Sequence, residues 1–195
     1  AADTVSISSC DMFIYAGGES DDWVQDALQT ASNPDMVVVN LLEVLGDDVK
    51  QEELVEGTEH GHDEGDEGEG DEHGHDEEGE PDEHVWLSLR HAQTLCSHIA
   101  QQLGVVDPAN ADTYLANAAA YNQQLTELDA DYQAAADSAT VKTLLFADRF
   151  PFRYLVDDYG LEYYAAFAGC SAGTEVSFET VAFLAGKAVE LGLRT

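Results

Sequence analysis

The chain has 195 residues, 44% of them hydrophobic, which is enough for one sizeable core or two small lobes. Forty acidic residues against seven basic ones give a formal net charge of −33, so nucleic acid and anionic membrane surfaces are excluded as partners and a cationic ligand is favoured. No apolar run approaches the roughly twenty residues of a membrane-spanning helix. The cysteines Cys10, Cys96 and Cys170 are far apart, fit no Cys-x-x-Cys spacing and predict buried thiols, with the redox compartment left open.

The first elements predict a parallel βαβ unit. An apolar run over 12–16 is followed by a helix that Ser20 is placed to cap, and then by a valine-rich run over 36–42. The helix is expected to bury Trp23, Ala27 and Leu28. Strand, helix and strand in so short a stretch indicate parallel strands that are covered on both faces.

Between Leu54 and Val85 the chain consists almost entirely of Glu, Asp, Gly and His, and it repeats one His-Gly-His tripeptide. Such a tract has no apolar side chains whose burial could offset the entropy of ordering it, whereas imidazole beside carboxylate suits zinc and its neighbours. We therefore predict weak, rapidly exchanging metal sites at His60, His62, His73 and His75. The alternative is a solvated acidic linker in which these histidines are incidental.

Two helices are predicted after the tract. The first begins near Asp82 and ends at Gly104, and its core-facing stripe is Val85, Leu89, Ala92, Cys96, Ile99 and Leu103. Asp107-Pro108 begins the second, which runs to about Ala136 without a helix breaker. At ~1.5 Å per residue this helix spans roughly 43 Å, so it can connect two lobes.

A second βαβ unit is predicted after the long helix, with strands over 143–147 and 163–168 and helices over 150–159 and 178–191. The chain is therefore predicted to be an α/β protein with two βαβ lobes joined by one long helix. We expect the following division: a first lobe over 1–106 that includes a flexible loop over 54–82, the connecting helix over 107–137, and the start of a second lobe over 138–195.

The stretch Asp82-Glu83-His84-Val85-Trp86-Leu87-Ser88 directly follows the His-rich tract. It resembles the Asp-x-His-x-Trp-Leu motif of the zinc and manganese solute-binding proteins of ABC importers. Further stretches agree with this family in order and spacing: 11–15, Phe152-x-Tyr154 with 158–161, and the turn over 174–177. The resemblance covers essentially the whole chain. It implies two α/β lobes joined by one long backbone helix, with a divalent metal held in the cleft between the lobes.

The resemblance also implies a partial ligand set. His84 matches the cleft histidine of the first lobe, whereas His91 and His98 lie at ~10.5 Å steps along the helix and cannot share its ion. The second-lobe His or Glu of the family falls on Arg149, which has no lone pair to offer, so Asp148 is the expected substitute. Glu175 is a further candidate ligand, with helix capping as its alternative role. Because other family ligands have no counterpart, we expect the chain to be truncated at both ends.

The resemblance, together with the His-rich tract, implies an extracytoplasmic solute-binding protein, either periplasmic or a cell-surface lipoprotein. It would act as a monomer and without catalysis, capturing Zn²⁺, with Mn²⁺ as the alternative, and passing it to an ABC permease. One alternative is a passive acidic metal buffer that binds only through the tract. A remote alternative is a serine esterase, because Gly169-Cys170-Ser171-Ala172-Gly173 fits Gly-x-Ser-x-Gly, but the triad order needs a later His and the last one is His98.

Overall fold

The computed structural model describes residues 2–53, 55–56, 80–169 and 176–193. Its first unit contains α1 Ala2–Ser9, β1 Met12–Tyr15, α2 Trp23–Gln29, β2 Val37–Asn40 and α3 Leu41–Leu45. The two strands are parallel and in continuous register, from Met12 opposite Val37 to Tyr15 opposite Asn40. The predicted first βαβ unit is therefore present.

Two details of this unit differ from the expectation. The valine-rich strand ends at Asn40, because the Asn40 side chain accepts the backbone N–H of Glu43 at 3.2 Å and caps α3. Trp23 is 52% exposed, and the fully buried side chain of α2 is its neighbour Val24. Val24 precedes Ala27 and Leu28 by three and four residues, so Val24 and not Trp23 completes the apolar stripe of α2.

The next elements are α4 Leu89–Val106 and α5 Ala111–Ser138, which pack as an antiparallel hairpin. Asn122 of α5 donates to the Gln93 carbonyl at 3.1 Å and to the Ser97 hydroxyl at 2.8 Å. Gly104 does not end α4 as predicted. A Cβ at Gly104 would lie 3.0 Å from the Cβ of Ala111, so glycine permits the close approach of the two helices. The predicted long helix is present with 28 residues, and it lies along α4.

The second unit contains β3 Thr143–Phe150, α6 Arg153–Asp158, β4 Glu162–Ala168 and α7 Phe178–Glu190. β3 and β4 are parallel, and a bulge interrupts their register. Phe146 lies opposite Ala165 and Arg149 opposite Phe167, so β3 advances by three residues where β4 advances by two. The core of this unit includes Phe150 stacked on Tyr163, with ring centroids 3.7 Å apart.

The two units share a core through α6. Tyr154 of α6 is fully buried in a cluster with Leu45, Val85 and Leu95, which all belong to the part of the chain before α5. This side chain therefore joins the second unit to the first. Within the described ranges, no helix is both long enough and apolar enough to cross a membrane.

Candidate metal-binding site

His84 lies at the start of a short 3-10 turn over Val85–Leu87, before α4 rather than in its first turn as expected. Asp82 holds it in place. One carboxylate oxygen of Asp82, Oδ1, accepts the His84 backbone N–H at 2.8 Å and lies 3.0 Å from Nδ1 of the ring. With the ring proton on Nδ1, the Nε2 atom keeps the lone pair that a metal ion needs. The arrangement is a carboxylate–histidine pair with one nitrogen available for coordination.

The backbone of Asp82 is fixed from two sides. Its N–H donates to the carbonyl of Lys50 at 2.9 Å, and its carbonyl accepts the hydroxyl of Tyr154 at 2.7 Å. Asp82 is only 2% exposed, so water does little to compete for these contacts. The position of the carboxylate that orients His84 is therefore set by the segment before the tract and by α6.

Glu83 fastens the same segment to the turn that follows β1. Its Oε1 accepts the backbone N–H of Ser20 at 2.8 Å, and the side chain is buried. Gly18 makes room for it, since a Cβ at Gly18 would lie 2.5 Å from Oε1. Gly18 also has φ 84°, a left-handed conformation that glycine adopts without strain. The Gly17-Gly18 turn thus lets the segment with Glu83 and His84 pack at the carboxyl end of the first sheet.

The second unit reaches His84 at the carboxyl ends of its own strands. Gly169 directly follows β4, and a Cβ there would lie 3.1 Å from Cε1 of His84 and 2.8 Å from the carbonyl oxygen of Phe150 at the end of β3. Open parallel sheets bind ligands outside the carboxyl ends of their strands. His84 therefore lies where the carboxyl ends of both parallel strand pairs converge.

The surroundings of His84 are negatively charged. The hydrogen bond with Asp82 is the main cause that raises the pKa of His84, the charges of Asp82, Glu52 and Glu83 add to it, and partial burial opposes it. The same negative potential favours a divalent cation at the ring. Since a metal ion and a proton compete for the imidazole lone pair, any metal binding at this ring would depend on pH.

Asp148 lies on the bulged part of β3 and is exposed to solvent. Its Oδ1 accepts the backbone N–H of the next residue, Arg149, at 2.8 Å. A bulge breaks the regular alternation of side chains along a strand and is a common means of re-aiming one of them near a site. The position of Asp148 is therefore compatible with a ligand role, which stays a prediction.

The other predicted ligands, His60, His62, His73, His75 and Glu175, lie outside the described residues. Within the described ranges, no three His, Cys, Asp or Glu side chains come close enough together to hold a metal ion. His91, predicted to be structural or at the surface, packs its ring against Tyr154 with centroids 5.1 Å apart. The described part of the chain thus presents one anchored candidate ligand rather than a closed coordination shell.

Three supporting residues were not recognised from the sequence: Asp82, Tyr154 and Asp158. Asp158 accepts the hydroxyl of the fully buried Ser88 at 2.6 Å, while Ser88 caps α4 by accepting the His91 backbone N–H at 3.1 Å. All of these residues belong to the motif stretches that carry the family resemblance. Their presence in those stretches was the available signal, and the contacts between the stretches were not readable from it.

The family model for the periplasmic component A of zinc-uptake complexes, ZnuA, matches residues 1–195. The chain belongs to this family. The family is one of uptake-complex components rather than enzymes, which contradicts the esterase alternative.

Relatives and solved structures agree with this assignment. The zinc-binding lipoprotein AdcA of Streptococcus pneumoniae is 34% identical over 181 residues, which are 91% of this chain and 33% of AdcA. The metal-dependent lipoprotein YcdH of Bacillus subtilis is 27% identical, with a TM-score of 0.71 over 99% of this chain and 61% of that one. The Zn(II)-bound ZnuA-like domain of Streptococcus pneumoniae AdcA is also 27% identical, with a TM-score of 0.66 and the same coverage. The predicted α/β fold class is confirmed, and the chain spans about a third of the length of AdcA.

Proposed function

We propose that this chain is the metal-capturing part of an extracytoplasmic solute-binding receptor for Zn²⁺, with His84 as its anchored ligand. The observation that carries the proposal is the placement of His84, whose Nδ1 is bound to Asp82 and whose ring lies at the converging carboxyl ends of two parallel strand pairs. A ring held in this way offers Nε2 to an ion without having to be ordered first, which lowers the entropic cost of binding.

The choice of zinc rests on the donor chemistry. Imidazole suits zinc better than it suits the harder ions, which prefer oxygen ligands, and the carboxylates around His84 supply negative charge. Mn²⁺ is the alternative ion, because carboxylates such as Asp148 would suit it. A direct competition between the two ions for the His84 site distinguishes them.

The partner we propose is an ABC permease in the membrane, to which the monomeric receptor delivers its ion outside the cytoplasm. The family description names a periplasmic component of an uptake complex, and AdcA is named a lipoprotein, which supports a location in the periplasm or at the cell surface. The receptor performs no reaction, so its work is binding and release. Light scattering on the purified chain tests whether it is a monomer.

The decisive experiment is a zinc titration of the full chain against a chelator that outcompetes the weak sites of the tract. We expect His84→Gln to weaken the tightest binding event, because it removes the anchored Nε2. His98→Gln is the matched control. His98 lies on α4, two turns beyond the residue packed on Tyr154, and it should leave the affinity unchanged.

Deleting residues 56–80 separates the receptor from the passive buffer. A receptor keeps its tightest site after the deletion and loses only the weakly bound zinc ions, whereas a buffer loses all zinc binding. Equal losses of affinity for His84→Gln and His98→Gln would contradict the ligand role of His84 and point to helix stability instead. Circular dichroism melts of both variants report that stability directly.

A further inference from the structure

Helix α6 holds both ends of the segment that carries His84. Tyr154 and Asp158 are four residues apart on this helix, so their side chains project from the same face. The Tyr154 hydroxyl donates to the carbonyl of Asp82 at 2.7 Å, and the Asp158 carboxylate accepts the hydroxyl of Ser88 at 2.6 Å. His84 lies in the chain between these two contact points.

Both contacts are shielded from water. Tyr154 is fully buried, and its hydroxyl also accepts the backbone N–H of Lys50 at 3.1 Å. Ser88 is fully buried as well, and the Asp158 side chain is 15% exposed. Breaking a buried hydrogen bond leaves a polar group without solvent to replace its partner. The segment therefore cannot shift against α6 without losing these bonds.

We infer that Tyr154 is a positioning residue for metal capture, which orients the His84 ring by fixing Asp82, while Asp158 fixes the far end of the same segment through Ser88. The inference rests on the proposed role of His84 as a ligand. Its consequence is that a helix of the second unit, between β3 and β4, sets the geometry of the ligand contributed by the first unit. The orientation of His84 then depends on the position of α6 as well as on the segment that carries His84.

The test uses Tyr154→Phe in the full chain, which removes the hydroxyl and keeps the buried ring. Zinc affinity is measured by chelator competition that leaves the tract empty, and we expect a loss of about tenfold, the low end for residues that orient a metal ligand. The ¹⁵N shifts of the His84 ring in metal-free protein at about pH 8.5, well above the reference pKa of histidine, give a second reading. They should move from a fixed Nδ1–H form toward a mixture of tautomers.

Tyr121→Phe is the matched control, because Tyr121 is 51% exposed on α5. It should change neither the affinity nor the shifts. Asp158→Ala, which removes the acceptor of the Ser88 hydroxyl, is a second variant that should act in the same direction. If Tyr154→Phe does not fold, the zinc affinity and the ¹⁵N shifts of Asp158→Ala decide whether α6 positions the His84 segment. A lower melting temperature with parental His84 shifts and parental zinc affinity would overturn the positioning role. If instead His84→Gln leaves the tightest affinity unchanged, the proposed function fails, and the ¹⁵N shifts still report whether Tyr154 orients the ring.

Discussion

Asp82→Asn is the sharpest perturbation of the site, because it changes the charge beside His84 and almost nothing else. The amide oxygen can still accept the His84 backbone N–H, now 2.8 Å from Oδ1, but it no longer carries the charge that holds Nδ1–H. Loss of a partner that orients a metal-binding histidine costs about 10- to 100-fold in affinity, or ~1.4 to 2.7 kcal/mol. We expect the tightest zinc site to weaken by that amount, measured by chelator competition. An unchanged affinity would refute the view that Asp82 prepares His84 for metal.

The same variant makes a separate prediction for the metal-free protein. The hydrogen bond with Asp82 raises the pKa of His84 above its ordinary value in the folded state. A group with a raised folded pKa stabilises the fold fully below its unfolded pKa, ~6.5 for histidine, and this contribution is lost as pH rises through the folded pKa. The difference in unfolding free energy between parent and Asp82→Asn should therefore be largest below about pH 6.5 and shrink at higher pH. Urea unfolding at several pH values measures it, and a difference that grew with pH would contradict the assignment.

Two further predictions concern Gly169 and the charge of the chain. Gly169→Ala should lower zinc affinity at the His84 site, because its new Cβ would lie 2.8 Å from the Phe150 carbonyl oxygen and 3.1 Å from the His84 ring. Gly186→Ala on α7 is the control, since a Cβ there meets nothing within 4 Å. This control should leave the zinc affinity measured by chelator competition unchanged. With a net charge of −33, raising salt from ~0.1 to ~1 M, which shortens the Debye length from ~10 to ~3 Å, should raise the melting temperature. A falling melting temperature would mean that ion pairs such as Lys50–Asp157 outweigh the general repulsion.

The order of most elements was predictable because they have strong local signals. Valine-rich and apolar runs marked β1 and β2, and the Asp107-Pro108 start marked the long helix. Details failed where tertiary contacts decide. The cap at Asn40 ended β2 early. Gly104 makes room for Ala111 of the neighbouring helix instead of ending α4, which runs on to Val106. Helix α1 was missed, since its sequence over 2–9 has no apolar periodicity to reveal it.

The site was less predictable than the fold, because its residues come from distant parts of the chain. The motif identified His84, but no spacing rule connects it to Tyr154, seventy residues later, or to Ser20, which lies far upstream. A hydrogen bond such as Tyr154 to the Asp82 carbonyl has a backbone acceptor, which every residue possesses, so the sequence carries no mark of it. The resemblance pointed to His84 as a candidate ligand, and the structure was needed to find which residues hold its ring in place.

The two units differ in how they would contribute to the proposed metal site. His84, the proposed ligand of the first unit, is fixed by the chain around it, through Asp82 and through Glu83 against Gly18. The bulge in β3 frees Asp148 and Arg149 from the regular alternation of the strand. If Asp148 supplies the second-unit oxygen, Asp148→Asn should weaken the tightest zinc site while Arg149→Ala should not, because a guanidinium offers donors and no lone pair. Parental zinc affinity in Asp148→Asn would remove it from the ligand set and leave His84 as the only described candidate supported by its surroundings.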